Sequence, residues 1–349
     1  MRNVLVDVHR LGGNTYNGLY HFCYQLGLQL VQQAPASLSL SYYMPQRSFG
    51  ILGNAITYAA QKSVHKYYHA NTKKYDVWHA ATTLSWYKPY NSSTKYIFTI
   101  HDLNFMHEVE YSENSKRKYL QLIQLRVNRA QHLTYISHFA HTQAQQYLQL
   151  GNIPYSIIYN GCNILLPQYA ITPRQLPATP FLFALGQMHS RKNFAVLPAL
   201  LQHNQLQLIL AGDCNTAYAQ QIIAAAKQLG VANRVHLVGV ITESEKIWYY
   251  QHCQAFVFPS IGEGFGLPVL EAMQFGKPVF LSMHTSLPEV GGSAAYYFNS
   301  FEPEAMQHAY QKGMQHYNIT QPHETIKAQA AKFSYVTAAH QYLQLYQNV

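Results

Sequence analysis

The sequence predicts an α/β protein of two Rossmann-like, doubly wound domains that face each other across a cleft. Three observations carry the prediction. Short apolar runs alternate with helix-period segments along the chain, which is the rhythm of parallel sheets built from βαβ units. The rhythm breaks at 167-PQYAITPRQLPATP-180, whose four prolines suit a linker and not an element interior. A length of 349 residues with 48% hydrophobic composition is enough for two domains of ordinary size, each with its own core.

The elements follow in order. The first strand is 3-NVLVDV-8, and its turn, 9-HRLGGNTYNG-18, runs into a helix within 14-NTYNGLYHFCYQLGLQLVQQ-33. Further strands of this domain are expected at 96-YIFTI-100, 133-LTYIS-137 and 155-YSIIYN-160. Past the linker, strands are expected at 181-FLFALG-186, 207-QLILAG-212, 235-VHLVG-239, 255-AFVFPS-260 and 278-PVFLS-282, with helices between them such as 217-AYAQQIIAAAKQLG-230. Domain bounds are set at 1–165 and 166–332, and the closing segment 333–349 is expected to be a helix that returns to the first domain. No repeat of solenoid length is present.

Composition narrows the partners. The four cysteines, Cys23, Cys162, Cys214 and Cys253, form no C-x-x-C pair and read as ordinary buried thiols. Arg2, Asp7, His9 and Arg10 interrupt the first ten residues, and later apolar runs are far shorter than a membrane span, so a cytoplasmic location is expected. The net charge of +9 is uneven. Residues 1–170 hold 14 Lys+Arg against 6 Asp+Glu, and residues 171–349 hold 10 against 9. Between Asp7 and Asp76 there is no acidic residue, while Arg10, Arg47, Lys62, Lys66, Lys73 and Lys74 lie there among Tyr42, Tyr43, Phe49, Tyr58, Tyr67 and Tyr68. That segment suits a phosphate-rich acceptor or an anionic membrane surface, or else is a solvated face with its aromatic side on the core.

The strongest chemical signal is 260-SIGEGFGLPVLEAMQFGKPV-279. After a buried strand, Pro268 fits the first turn of a helix and Gly276 its end, which leaves Glu263 in the loop and Glu271 one turn into the helix. Glycines let a ligand approach the backbone, and a helix start favours an anion such as a diphosphate. An ionised carboxylate only accepts hydrogen bonds, so the two glutamates suit hydroxyls on either side of that anion. A nucleoside diphosphate sugar has this layout.

With its spacing of Glu263, seven residues, then Glu271, followed by 286-SLPEVGGSAAYYF-298, this stretch resembles the E-x7-E region of the retaining glycosyltransferases of family four, which have the GT-B fold. The resemblance extends over 12-GGNTYNGL-19, 99-TIHDL-103, 137-SHFAHTQAQQYL-148, 158-IYNGCN-163, 186-GQMHSRKNF-194, 211-AGD-213 and 333-FSYVTAAHQYLQLY-346. It implies that Glu271 holds the ribose hydroxyls and Glu263 those of the donor sugar. Gly264, Phe265, Gly266 and Leu267 then lie against the sugar and diphosphate, and Arg191 and Lys192 are the cations on the diphosphate. Where many members carry an arginine after the strand glycine, this chain has Gln187. Val240 and Ile241 resemble the backbone contact for the base, and His101 the histidine near the donor sugar. A local alternative has Asp102 capping the next helix beside His101. Gly12 and Gly13 are read as close approach to donor or acceptor, or as a tight turn.

No cofactor or metal is expected, because Asp7, Asp76, Asp102 and Asp213 are the only aspartates and form no D-x-D. The resemblance implies a retaining, metal-independent hexosyltransferase. Its donor would be a nucleotide sugar, GDP-mannose first and UDP-hexoses close behind. Its acceptor would be a lipid-linked or lipopolysaccharide glycan, with peripheral contact to the inner face of the cytoplasmic membrane and no nucleic acid partner. Rival readings are a sugar-nucleotide epimerase of the same fold and a non-catalytic basic membrane or nucleic-acid binder. A dinucleotide oxidoreductase is disfavoured, since the first βα turn lacks G-x-G-x-x-G.

Overall fold

A computed structural model describes residues 1–12, 18–108, 110–162, 166–174, 176–177 and 180–349. The chain divides into two compact units, Met1–Gly161 with Phe333–Val349, and Cys162–Lys332. The break falls slightly upstream of the domain boundary expected from sequence.

Unit 1 begins with β1 (Arg2–Asp7) and α1 (Gly18–Gln33), followed by β2 (Leu38–Met44), β3 (Thr57–Ala60), β4 (Val77–Ala80) and β5 (Lys95–Ile100). Then come α2 (Glu113–Val127), β6 (His132–Tyr135), α3 (His138–Tyr147) and β7 (Tyr155–Ile157). Among the described residues the strands form one parallel sheet, ordered β3-β2-β1-β4-β5-β6-β7. Its central strands are buried along most of their length and its edge strands β3 and β7 are not, as expected of a parallel sheet covered on both faces. Ser112 and Ser137 cap α2 and α3 by accepting from Ser115 N and Ala140 N.

Unit 2 comprises β8 (Phe181–Leu185), β9 (Gln207–Ala211), α4 (Ala217–Gln228), β10 (Val235–Gly239), α5 (Glu243–His252), β11 (Ala255–Phe258) and α6 (Leu267–Gln274). It continues through β12 (Val279–Ser282), α7 (Leu287–Gly291), β13 (Tyr296–Phe298), α8 (Pro303–Thr320) and α9 (His323–Ala331). The second sheet is also parallel, ordered β10-β9-β8-β11-β12-β13. Gly276, just past α6, sits at φ 65°, the left-handed end that only glycine adopts without strain. No described helix is long and apolar enough to cross a membrane.

The last helix, α10 (Tyr335–Asn348), belongs to unit 1. Its Ala338, Ala339, Tyr342 and Leu343 share one buried cluster with Phe22, Leu26 and Leu30 of α1 and with Val4 and Val6 of β1. Each fully buried side chain of leucine or phenylalanine size contributes roughly 2 kcal/mol. A polar network pins the helix as well. The fully buried His79 imidazole meets Tyr346 Oη at 2.6 Å and Thr99 Oγ1 at 2.7 Å, and Thr99 meets Thr134 Oγ1 at 2.6 Å. Burial pushes the His79 pKa down to about 3, so this is a neutral core histidine stacked 4.7 Å from the Tyr342 ring.

Both sheets reverse their strand order once, unit 1 between β1 and β4 and unit 2 between β8 and β11. In open α/β sheets, ligands bind outside the carboxyl ends of the strands at that point.

Candidate active site

The sequence motifs of unit 2 converge on its reversal point. Arg191 and Lys192 lie in the short turn after β8, and Glu263 in the loop after β11. The sequence reading gives Lys192 and Glu263 separate ligands, and the structure joins them. Lys192 Nζ donates to Glu263 Oε1 at 2.5 Å and lies 4.9 Å from the centre of the Phe258 ring; Ser260 Oγ donates to the same oxygen at 2.7 Å. Burial favours the neutral acid, but Lys192 and then Arg191 outweigh it and hold the Glu263 carboxyl below its ordinary range. Arg191 Nη1 donates to the carbonyl of Gly262 at 2.9 Å, which ties the two loops together.

The rest of the loop is set by backbone geometry. Gly266 takes φ 113°, and a Cβ there would also come within 2.8 Å of Leu287. Any other residue would be strained twice over. Ser286 Oγ donates to the Phe265 carbonyl at 2.8 Å, and α6 starts at Leu267 with Pro268 in its first turn and no side chain capping it. A helix start of this kind favours an anion.

Glu271 is on α6, and like Glu263 it is buried and ion-paired. Lys246 Nζ donates to its Oε1 and Tyr250 Oη to its Oε2, each at 2.9 Å. Lys246 also pairs with Glu243 at 2.9 Å. Burial works against the charged ammonium, but Glu271 and then Glu243 more than offset it and raise the Lys246 pKa. Each Glu271 oxygen keeps a second lone pair for a ligand hydroxyl. Sequence reasoning missed Lys246, Tyr250 and Ser260. A Lys and a Tyr four apart on α5 share a face, which is a signal, but nothing local names Glu271 as their partner.

Val240 and Ile241 follow β10 and precede the Thr242–Glu245 capping box of α5. Val240 is 81% exposed and Ile241 half-buried. Cys23 and Cys253 are buried as expected, but Cys162 and Cys214 are only half-buried.

In unit 1 the reversal point gathers different groups. His101, after β5, is buried: Nε2 donates to the Ala81 carbonyl at 2.9 Å, its backbone N–H donates to Thr83 Oγ1 at 2.7 Å, and its ring meets Phe22 edge-on at 4.6 Å. Burial lowers its pKa to about 4 despite the hydrogen bond to Ala81, so the imidazole is neutral with its proton on Nε2. Only Nδ1 is left for a ligand atom. Asp102 Oδ1 accepts from Asn104 N at 3.0 Å, a local turn; the cap considered for it from sequence is not formed, since Leu103 is the N-cap of the 104–106 turn and no side chain caps it. Gly12 is buried, and a Cβ there would lie 2.2 Å from the Pro45 ring, so packing within unit 1 already demands glycine. Gly13 lies outside the described residues. Sequence reading also passed over Asp7, fully buried at the end of β1, which accepts from Ser85 Oγ at 2.6 Å and pairs with His9 Nδ1 at 2.9 Å.

Comparison with known proteins bears on both units. Residues 175–330 match the family described as Glycosyl transferases group 1. The chain is similar to the serotype-specific mannosyltransferase WbdA of Escherichia coli, 33% identical over 171 residues that cover 46% of this chain and 21% of that protein. It is also similar to the O-antigen chain mannosyltransferase B of Escherichia coli, 26% identical over 225 residues covering 57% of this chain and 55% of that one. The matches therefore span about a fifth and about half of the two relatives. Among solved structures, Anabaena HepE in complex with UDP-glucose superposes over 100% of both chains with a TM-score of 0.72 at 14% identity, a likeness of fold. The likeness to the glycosyl transferases group 1 family is thus carried by residues 175–330, and the two Rossmann-like units have the GT-B fold of the solved glycosyltransferases.

Proposed function

We propose that the protein is a retaining, metal-independent hexosyltransferase that moves a sugar, mannose from GDP-mannose in the first instance, onto a lipid-linked or lipopolysaccharide glycan. The observation that carries the reading is the pair of buried carboxylates, Glu263 and Glu271, each fixed by its own lysine on either side of the α6 start. In this reading the donor diphosphate lies against the α6 start and Arg191, with Lys192 shared between it and Glu263. Glu271 accepts from the ribose hydroxyls and Glu263 from those of the sugar. As the glycosidic bond breaks, negative charge grows on the departing phosphate, and cations fixed beforehand stabilise it without reorganisation. The departing phosphate takes the acceptor's proton, and attack follows on the face it vacates.

The choice of mannose is supported by the printed activities of the two Escherichia coli relatives, and the choice of a surface glycan by the O-antigen relative. HepE, solved with UDP-glucose, keeps UDP donors in the test. The test is thermal unfolding of the protein against UDP-, GDP-, ADP- and TDP-sugars, with and without EDTA, with Glu271→Ala as control. A donor at about a hundred times its Kd adds roughly 2.7 kcal/mol to the folded state. GDP-mannose should stabilise the protein, insensitive to EDTA and lost in the variant; stabilisation by no nucleotide sugar overturns the reading. An α-linked product from GDP-mannose then establishes retention, and a β-linked one refutes it.

A further inference from the structure

The glycine loop of unit 2 is gripped from both sides. On one side stands the turn after β8, which carries Arg191; on the other stands the segment from Ser282, at the end of β12, to the start of α7. In the sheet β11 lies between β8 and β12, so its loop lies between those two segments. The Ser260 carbonyl accepts from Ser282 Oγ, and the N–H of the same peptide, on Ile261, donates to the Arg191 carbonyl at 2.8 Å. Two residues on, the peptide is reversed. The Gly262 carbonyl accepts from Arg191 Nη1 at 2.9 Å, and the Glu263 N–H donates to Thr285 Oγ1 at 3.2 Å.

Further along the loop one hydroxyl holds two carbonyls. Ser286 Oγ shares its single proton between Phe265 O at 2.8 Å and Glu263 O at 3.2 Å. In a trans peptide the C=O and the following N–H point opposite ways. Holding these two carbonyls toward β12 therefore aims the N–H groups of Gly266 and Gly264 toward β8, the side of the crevice at the reversal of this sheet. The hydroxyls are placed against resistance. Ser282 and Ser286 are fully buried, which is unfavourable for a hydroxyl unless it is bonded, and both bond to this loop. Thr285 stands at φ 59°, where a β-branched residue is strained and glycine is relaxed. Glycine would bring no hydroxyl to the Glu263 N–H.

We propose that Ser286 is a positioning residue for the donor, a role that rests on the donor site proposed above. Its hydroxyl, with those of Thr285 and Ser282, turns the Gly264 and Gly266 N–H groups into the crevice to receive the diphosphate. Donors fixed in this way before binding need no reorganisation when charge grows on the departing phosphate.

The test compares each nucleoside diphosphate with its own nucleoside, since only the diphosphate meets those N–H groups. Calorimetric titration gives the affinities of the parent and its variants for GDP and guanosine, and for UDP and uridine. Ser286→Ala should weaken the preferred diphosphate about tenfold and leave its nucleoside unchanged. Thr285→Ser keeps the hydroxyl and should match the parent. Thr285→Gly should weaken the diphosphate about threefold without lowering the melting temperature, because relief of backbone strain offsets the lost hydrogen bond. Should Ser286→Ala not fold, the two Thr285 variants decide. Equal weakening of diphosphate and nucleoside makes the hydroxyls structural only and overturns the proposal, as does an unchanged diphosphate affinity. Binding of neither diphosphate to the parent overturns the donor site as well, so the two failures are told apart.

Discussion

The two units place their polar groups at the same point of the same kind of sheet and treat them oppositely. At the reversal in unit 2, Glu263 and Glu271 are buried as ions, each opposite a lysine. In unit 1, His101 at the reversal and His79 in the sheet beneath are buried as neutral rings, with pKa values pushed down to about 4 and about 3. Imidazole escapes the cost of burial by giving up its proton, whereas a carboxylate and an ammonium escape it by finding each other. Unit 2 therefore holds lysine-paired carboxylates ready for its ligand, whereas the two unit 1 imidazoles offer hydrogen bonds beside Asp7, the single buried acid among the described residues of that unit.

Breaking an ion pair tests this contrast most severely. Glu263→Ala strands the Lys192 ammonium, and removing one partner of a buried pair costs about 3 kcal/mol. Urea unfolding should show that loss, and transfer should slow at least about a hundredfold. Arg191→Met should cost a similar factor in rate with little change in stability, because Arg191 is half-buried and its hydrogen bond goes to a backbone carbonyl. Equal stability losses in the two variants would remove the distinction between them.

Lys246→Met sharpens the comparison inside unit 2. It leaves Glu271 with Tyr250 alone and should destabilise the protein by about 2 kcal/mol. Isothermal titration should also show a smaller gap between GDP and 2′-deoxy-GDP, since the carboxylate proposed to meet the ribose has lost its orientation. An unchanged gap with weaker binding of both would make Lys246 structural only.

Acid tests unit 1. His79 and His101 have folded pKa values below the ordinary 6.5, so the unfolded chain binds protons that the native state refuses. Their contribution is fully present above about pH 6.5 and is lost as pH falls toward 4 and 3, at about 1.4 kcal/mol per pH unit for each histidine. His101→Gln should flatten the slope of stability against pH by one histidine, as followed by urea midpoints between pH 7 and 5. Gly12→Ala tests the packing of the same unit: the new methyl would lie 2.2 Å from the Pro45 ring, which has no flexible end to move aside, and should cost about 3 kcal/mol in thermal unfolding.

Legibility from sequence followed locality. Strands such as β1, β5, β8 and β11 are continuous apolar runs, and their hydrophobicity alone marks them. Four strands escaped. In β2, 38-LSLSYYM-44, serines interrupt the run; β3 and β13 are short edge strands; β4, 77-VWHA-80, carries a histidine that looks polar until Tyr346 and Thr99 are seen to bind it.

The sequence by itself determined the parallel α/β character, the spacing of Glu263 and Glu271, and a glycine loop that ends in a helix start. Those features are written within a few residues of one another, where backbone sterics and helix periodicity act. Only the tertiary structure decided that Lys192 pairs with Glu263 and Lys246 with Glu271, across 71 and 25 residues of chain, and that Arg126 binds the carbonyls of Ser85 and Trp86. A buried charge needs a partner, and which partner it finds depends on how the sheets bring distant elements together, which no local pattern encodes.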